Sequence, residues 1–158
     1  MIVSTSVQST DAVARDRPTW YASGMAGIVF VRTRDLSRIV AFYRNQIGMS
    51  VWLEQPAIRI LRHDNMLIGF QESEGCDTDT LLTFFSRDRR EVDAIYDSLS
   101  RHIDERCSDS PIRIDTEPAV NERYRIYNFF ARDPDGRRIE FQTFLHPIDP
   151  VPGVNWME

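Results

Sequence analysis

The order of its hydrophobic patterns predicts that this chain has an α+β fold made of two βαβββ modules. Two observations carry the prediction. A strand-like run, a helical pattern and three further strand-like runs follow one another in the first half of the chain, and the same order returns in the second half. The composition, 42% hydrophobic and 27% charged over 158 residues, is that of an ordinary globular domain with enough apolar side chains for a core.

The first extended run is 25–32 (MAGIVFVR), rich in β-branched and aromatic residues. It ends at Thr33-Arg34-Asp35, where Asp35 stands in the position of a helix N-cap. From Leu36 the apolar residues Ile39, Val40, Phe42, Tyr43 and Ile47 recur in steps of three and four, so a helix follows, and Gly48 supplies the left-handed stop expected just past its end. The runs 49–54, 57–62 and 66–71 read as strands, separated by the turn sequences Gln55-Pro56 and His63-Asp64-Asn65. Beyond the polar loop 72–79, the run 80–86 (TLLTFFS) opens the second unit, and Val92, Ile95, Tyr96, Leu99 and Ile103 carry its helical pattern. Strands are expected over 111–118, 124–132 and 137–145. The last two are joined by Asp133-Pro134-Asp135-Gly136, with proline and glycine where a tight turn wants them. The expected organisation is one domain over 25–146 with modules of about 25–72 and 80–146, preceded by a polar N-terminal extension, 1–24, and followed by a proline-rich tail, 147–158.

Nineteen basic and 24 acidic side chains give a net charge of −5, a balance that speaks against a nucleic-acid groove or an anionic membrane surface. Every basic residue is arginine, so lysine Schiff-base chemistry is excluded. Cys76 and Cys107 lie in polar stretches with no CxxC or Cys/His cluster, which argues against a disulfide scaffold or a zinc site. The apolar runs 24–31 and 66–70 are far shorter than the roughly 20 residues of a membrane span. Residues 1–17 lack the pattern of a signal peptide, and a cytoplasmic protein is expected.

Three sets of residues carry a resemblance. Ile28 to Leu36 (IVFVRTRDL), Ala41-Phe42-Tyr43-Arg44 with Ile47-Gly48-Met49, and the closing Asp133 to Phe141 (DPDGRRIEF) together resemble the vicinal oxygen chelate superfamily, which includes glyoxalase I, extradiol dioxygenases and bleomycin-resistance proteins. The resemblance covers about 25–146. It implies that each module makes half of a curved, mixed sheet, that the halves enclose a small-molecule cavity, and that two chains pair as a homodimer.

In the enzymes of that superfamily, His and carboxylate side chains on several strands converge on one divalent metal and leave positions open for two substrate oxygens. Seven residues before Asp35, where many relatives carry a His, stands Ile28; seven before Asp88, where a second His is common, stands Leu81. Ile68, Gly69 and Phe70 occupy the place of a lyase Glu, with Gln71 the nearest polar residue, and only Glu140 matches a family ligand. One carboxylate is too few where metal sites use about three protein ligands, so no metal and no other cofactor is expected. His63, His102 and His146 lie in a turn, near a helix end and past the last strand, and none is an evident replacement.

Glu140 leaves three roles open: a cavity carboxylate that meets a ligand, a structural ion pair with Arg32 or Arg138, or a metal ligand. Period-two alternation puts Gln142 and Phe144 on its face of the strand, Phe30 and Arg32 on one face of the first strand, and Leu81, Thr83 and Phe85 on one face of the fifth. Glu140, Gln142, Phe30, Arg32, Phe85 and Tyr127 are the candidate ligand-binding residues. The expected function is binding of a small, flat or cationic organic molecule, as in resistance or sequestration. The alternative is a lyase, isomerase or dioxygenase in which Glu140 works with His63 or Gln71 on a metal, or alone as a base.

Overall fold

A computed structural model of the chain describes residues 26–103 and 112–150. The N-terminal extension and residues 151–158 of the tail lie outside the described residues. The first module contains β1 (Val29–Thr33), α1 (Leu36–Asn45), β2 (Ser50–Gln55), β3 (Ile58–His63) and β4 (Met66–Glu72). Its sheet has the order β1-β4-β3-β2, with β1 parallel to β4 and the other pairs antiparallel. The second contains β5 (Leu81–Phe85), α2 (Arg89–Ile103), β6 (Arg113–Ile114), β7 (Ala119–Asn121), β8 (Ile126–Arg132) and β9 (Arg138–Phe144). Its order is β5-β9-β8-β6, with β5 parallel to β9 and β7 also paired to β8.

The helix boundaries follow from the sequence signals. Asp35 has extended backbone and accepts the Arg38 N–H at 2.9 Å, and Asp88 accepts the Glu91 N–H at 3.1 Å. Past α1, Gly48 has φ 81° and the Met49 N–H reaches back to the Tyr43 carbonyl at 3.0 Å, a closure that favours glycine.

The second module departs from expectation between its helix and its last hairpin. Of the expected strand 111–118, the described residues 112–118 form only β6, and the expected strand 124–132 does not begin at Tyr124. Asp115 and Thr116 both donate to the Phe130 carbonyl, and Thr116 Oγ1 takes the Phe130 N–H, so the chain bulges away from β8 after Ile114. Beyond Pro118 it pairs again as β7, and 122–125 is a turn with Arg125 at φ 53°. The expected strand is therefore cut short to β6, and β7, beyond its expected end at 118, is a further short strand on the same side of β8.

Both helices pack on one side of the sheets. Ile39, Phe42, Tyr43, Leu61 and Phe70 from the first module share a buried cluster with Leu82, Val92, Leu99, Phe129 and Phe141 from the second. Each such side chain stabilises the fold by about 1.5–3 kcal/mol relative to exposure. The modules are also joined by polar contacts. The Asp133-Gly136 turn reaches α1, where the Tyr43 hydroxyl donates to Asp133 Oδ2 at 3.0 Å and Arg38 donates to the Pro134 carbonyl. Behind it, the fully buried Arg137 pairs with Asp133 and donates to the backbone carbonyls of Asp77 at 2.9 Å and Arg32 at 3.1 Å.

Candidate functional site

The two parallel ladders superpose residue on residue. In the first module Phe30 pairs with Gly69, Val31 with Phe70 and Arg32 with Gln71. In the second, Thr83 pairs with Glu140, Phe84 with Phe141 and Phe85 with Gln142. Since Asp35 and Asp88 cap the helices that follow, the counting from each cap and the ladder register agree: Phe30 corresponds to Thr83, and Gly69 to Glu140.

Glu140 lies on the sheet face turned away from the helices, and only 8% of its surface is exposed. Thr83 Oγ1 donates to one carboxylate oxygen at 2.8 Å, and Asn128 Nδ2 donates to the other at 2.7 Å. Neither arginine proposed as its ion-pair partner reaches it. Arg32 binds Asp77 at 2.6 Å, and the Arg138 guanidinium lies 4.5 Å over the Phe130 ring. Among the described residues, Glu140 is a buried carboxylate held by two neutral donors and no cation. Burying a charge in that way is costly, because hydrogen bonds from neutral groups replace only part of the lost hydration.

Gln142 is buried on the same face, between Phe85 on β5 and Asn128 on β8. The Phe85 and Phe144 rings meet edge to face with centroids 5.6 Å apart, and Phe130 neighbours Glu140 across the ladder. Glu140, Gln142 and Phe85 thus come together. Asn128 and Thr83 complete the group, and Asn128 was not among the expected site residues. The parity of β8 relative to β9 could have found it, but the sequence gives no register for that hairpin until the turn length is known.

Arg32 is half committed. Its side chain and backbone N–H both bind Asp77, whose carboxyl is held below the usual carboxylate range by the Arg32 side-chain and backbone hydrogen bonds. Tyr127 is not brought to this face at all. It packs toward α2, where its hydroxyl donates to Asp93 at 2.8 Å and the Arg89 guanidinium lies 5.2 Å over its ring.

Phe30, half exposed on β1, lies against the first-module counterpart of Glu140. Its ring lies across Gly69, so closely that a Cβ built on that glycine would stand 2.3 Å from Phe30 Cε1. The counterpart of Glu140 in the first module is therefore a glycine covered by an aromatic ring. Of the positions expected from the resemblance to be metal ligands, Ile28, Gly69 and Leu81 carry no ligating side-chain atom, and Glu140 is already hydrogen-bonded at both oxygens. Among the described residues, no cluster of three or more His, Cys, Asp and Glu is arranged to hold a metal. These residues do not fit a divalent ion. His63 lies at the end of β3 against Asp64, 3.2 Å away, and Gln71 is on β4 beside Arg32, so neither joins Glu140. No helix among the described residues is long and apolar enough to cross a membrane.

No protein-family model and no curated protein sequence matches the chain. Solved structures do match. A glyoxalase/bleomycin resistance protein/dioxygenase family enzyme from Burkholderia phytofirmans is 20% identical with a TM-score of 0.62, over 75% of this chain and 97% of that one. A glyoxalase/bleomycin resistance protein/dioxygenase from Nocardioides is 15% identical with a TM-score of 0.62, over 84% and 95%. A lactoylglutathione lyase from Agrobacterium tumefaciens is 18% identical with a TM-score of 0.59, over 77% and 93%. The chain has the fold of these proteins, and the resemblance read from its first strand, first helix and last hairpin is a true one at the level of fold.

Proposed function

We propose that the protein binds a small organic molecule carrying a cationic or hydrogen-bond-donating nitrogen on the sheet face of its second module, with Glu140 as the group that receives it. The observation that supports this reading is the buried Glu140 carboxylate with neutral donors and no cation. A ligand N–H⁺ placed against it forms a charge-assisted hydrogen bond and relieves the cost of burial. Asn128 and Thr83 hold the carboxylate in place, Gln142 offers a second polar contact, and Phe85, Phe144 and Phe130 supply aromatic surface for a flat ligand. Recognition rests on these side chains because the positions that hold a metal in the superfamily's enzymes carry Ile28, Gly69 and Leu81 here.

The same reading has two chains pairing. Val29, Phe30 and Leu81 leave apolar surface exposed on β1 and β5, each the outermost strand of its sheet. Sedimentation equilibrium reports the pairing directly.

A thermal-shift screen of aromatic and aliphatic amines, run beside elemental analysis of protein purified without chelator, tests the proposal. Aromatic cations are expected to raise the melting temperature, and Glu140→Gln to weaken them about tenfold, the equivalent of 1.4 kcal/mol. The variant keeps an acceptor for Thr83 but turns an amide NH2 toward Asn128, whose own amide must flip to offer its oxygen, and a stability loss of about 1 kcal/mol is expected. One tightly held metal ion per chain, with a stabilisation that disappears in Glu140→Gln, would replace this reading with that of a metal-dependent enzyme.

A further inference from the structure

The ladder correspondence extends to the two places where a hairpin turn of one module meets the helix side of the other. At the first junction the Asp133-Gly136 turn meets the first module. At the second, the β3–β4 turn meets the second module, and the His63 ring lies 6.1 Å from Phe84. His63 is the counterpart of Asp133 and Met66 of Arg137. Phe141 is the counterpart of Phe70, and Glu91 of Arg38.

The first junction is filled by the chain itself. The Arg137 guanidinium is buried 5.8 Å over the Phe70 ring and paired with Asp133, and Arg38 adds a second cation at the Pro134 carbonyl. The second junction carries neither cation. Met66 replaces Arg137 and Glu91 replaces Arg38. What stands there is a cleft of about 250 Å³ with Met66, Phe84, Ile95 and Phe141 as apolar lining. The carboxylates of Asp64 and Glu91 stand at its mouth, half exposed, Asp64 beside His63 and Glu91 beside Arg87.

The geometry points to a second binding site in this cleft for a small planar cation, an amidinium or guanidinium on a short apolar or aromatic body, seated against the Phe84 ring, which is itself stacked on Phe141 at 5.8 Å. An aromatic floor attracts such a cation through its quadrupole, and an acidic mouth selects it over a neutral isostere. The cleft opens on the helix side of the sheet, and Thr83 and Phe85, which belong to the Glu140 group, also contribute to its wall.

Titration of the isotope-labelled full chain with benzamidine, and in parallel with the neutral benzamide, tests the assignment by amide chemical shifts. The expected result is that benzamidine moves the signals of Met66, Phe84 and Ile95, moves them equally in Glu140→Gln, and binds at this junction about tenfold more tightly than benzamide. Asp64→Asn removes a carboxylate at a residue with φ 47°, a conformation that asparagine also accepts, and is expected to weaken benzamidine about threefold or more. Met66→Arg supplies the cation from the chain and is expected to abolish binding. The assignment is overturned if millimolar benzamidine moves nothing at the junction, if the shifts appear at Asn128 and Glu140 instead, or if benzamide binds equally well. Should Met66→Arg fail to fold, unchanged affinity in Asp64→Asn overturns it as well.

Discussion

Replacing Arg137 by methionine tests how the two modules are held together. The Arg137 side chain has no exposed surface, and its guanidinium donates to Asp133, to the Asp77 carbonyl and to the Arg32 carbonyl. Methionine fills much of the same volume but leaves Asp133 buried, with only the Tyr43 hydroxyl and the backbone N–H groups of Asp135 and Arg137 as donors. Breaking a buried pair from one side costs about 3–5 kcal/mol, chiefly because the remaining charge is uncompensated. For a chain of this length that corresponds to a fall in melting temperature of roughly 6–20 °C. Burial already pushes the Asp133 carboxyl up, while Arg137 and the hydrogen bonds pull it down. Removing Arg137 lets burial dominate, so the folded pKa rises further above the unfolded one. A carboxyl with a raised folded pKa loses stability as pH rises, and the variant's deficit therefore widens as pH climbs out of the acid range. Urea unfolding at several pH values measures both effects. The double variant Asp133→Asn/Arg137→Met is expected to recover at least half of the loss, since asparagine still accepts the turn's backbone bonds without a charge. A loss below about 1 kcal/mol in Arg137→Met, or no recovery in the double variant, would refute the reasoning.

Two further predictions follow from the register and from burial. Restoring ligating groups with Ile28→His, Gly69→Glu and Leu81→His, with Glu140 in place and Phe30 pushed off position 69, is expected to create nickel or zinc binding. At a metal concentration about a hundredfold above Kd this appears as roughly 2.7 kcal/mol of stabilisation, and its absence in a folded variant would mean that the four positions do not converge. Burial, reinforced by the Asp133 carboxylate, raises the Tyr43 pKa well above its ordinary 10.0. An unfolded tyrosine ionises near 10, so this contribution is complete below that pH and lost above it. Tyrosinate absorbance is expected to show one late group that titrates only with unfolding and disappears in Tyr43→Phe.

Much of the fold was legible because its signals are local. Asp35, Gly48 and the Asp133-Gly136 tetrapeptide each fix a backbone conformation within four residues, and the apolar periods between them leave one reading per segment. The β6–β7 interruption was not legible. It depends on Asp115 and Thr116 sharing the Phe130 carbonyl, a contact across the sheet that no local pattern encodes. The site divides in the same way. Alternation along one strand correctly groups Glu140 with Gln142, and Phe85 with Thr83, since side-chain parity is a property of a single strand. The partners of Glu140 depend on which strands lie beside it and in what register. Hence Asn128 was missed, and Tyr127, one residue away on β8, faces α2.

The duplication gives each half of the molecule an internal control for the other. On the sheet face, the same ladder position holds Phe30 over Gly69 in the first module and Thr83 bonded to Glu140 in the second. On the helix side, the same junction holds a buried arginine pair at one end and an open cleft at the other. In both comparisons the position against β1 and β4 is filled by the chain's own side chains, Phe30 on the sheet face and Arg137 of the second module on the helix side, and the corresponding position against β5 and β9 is left polar or open. A glycine under an aromatic ring and an arginine buried beside an aspartate both close space that a ligand would need. The Glu140 face of the second module and the junction where Met66 of the first module meets Phe84 of the second lack these closures, and they are the two places at which the proposed ligands would bind.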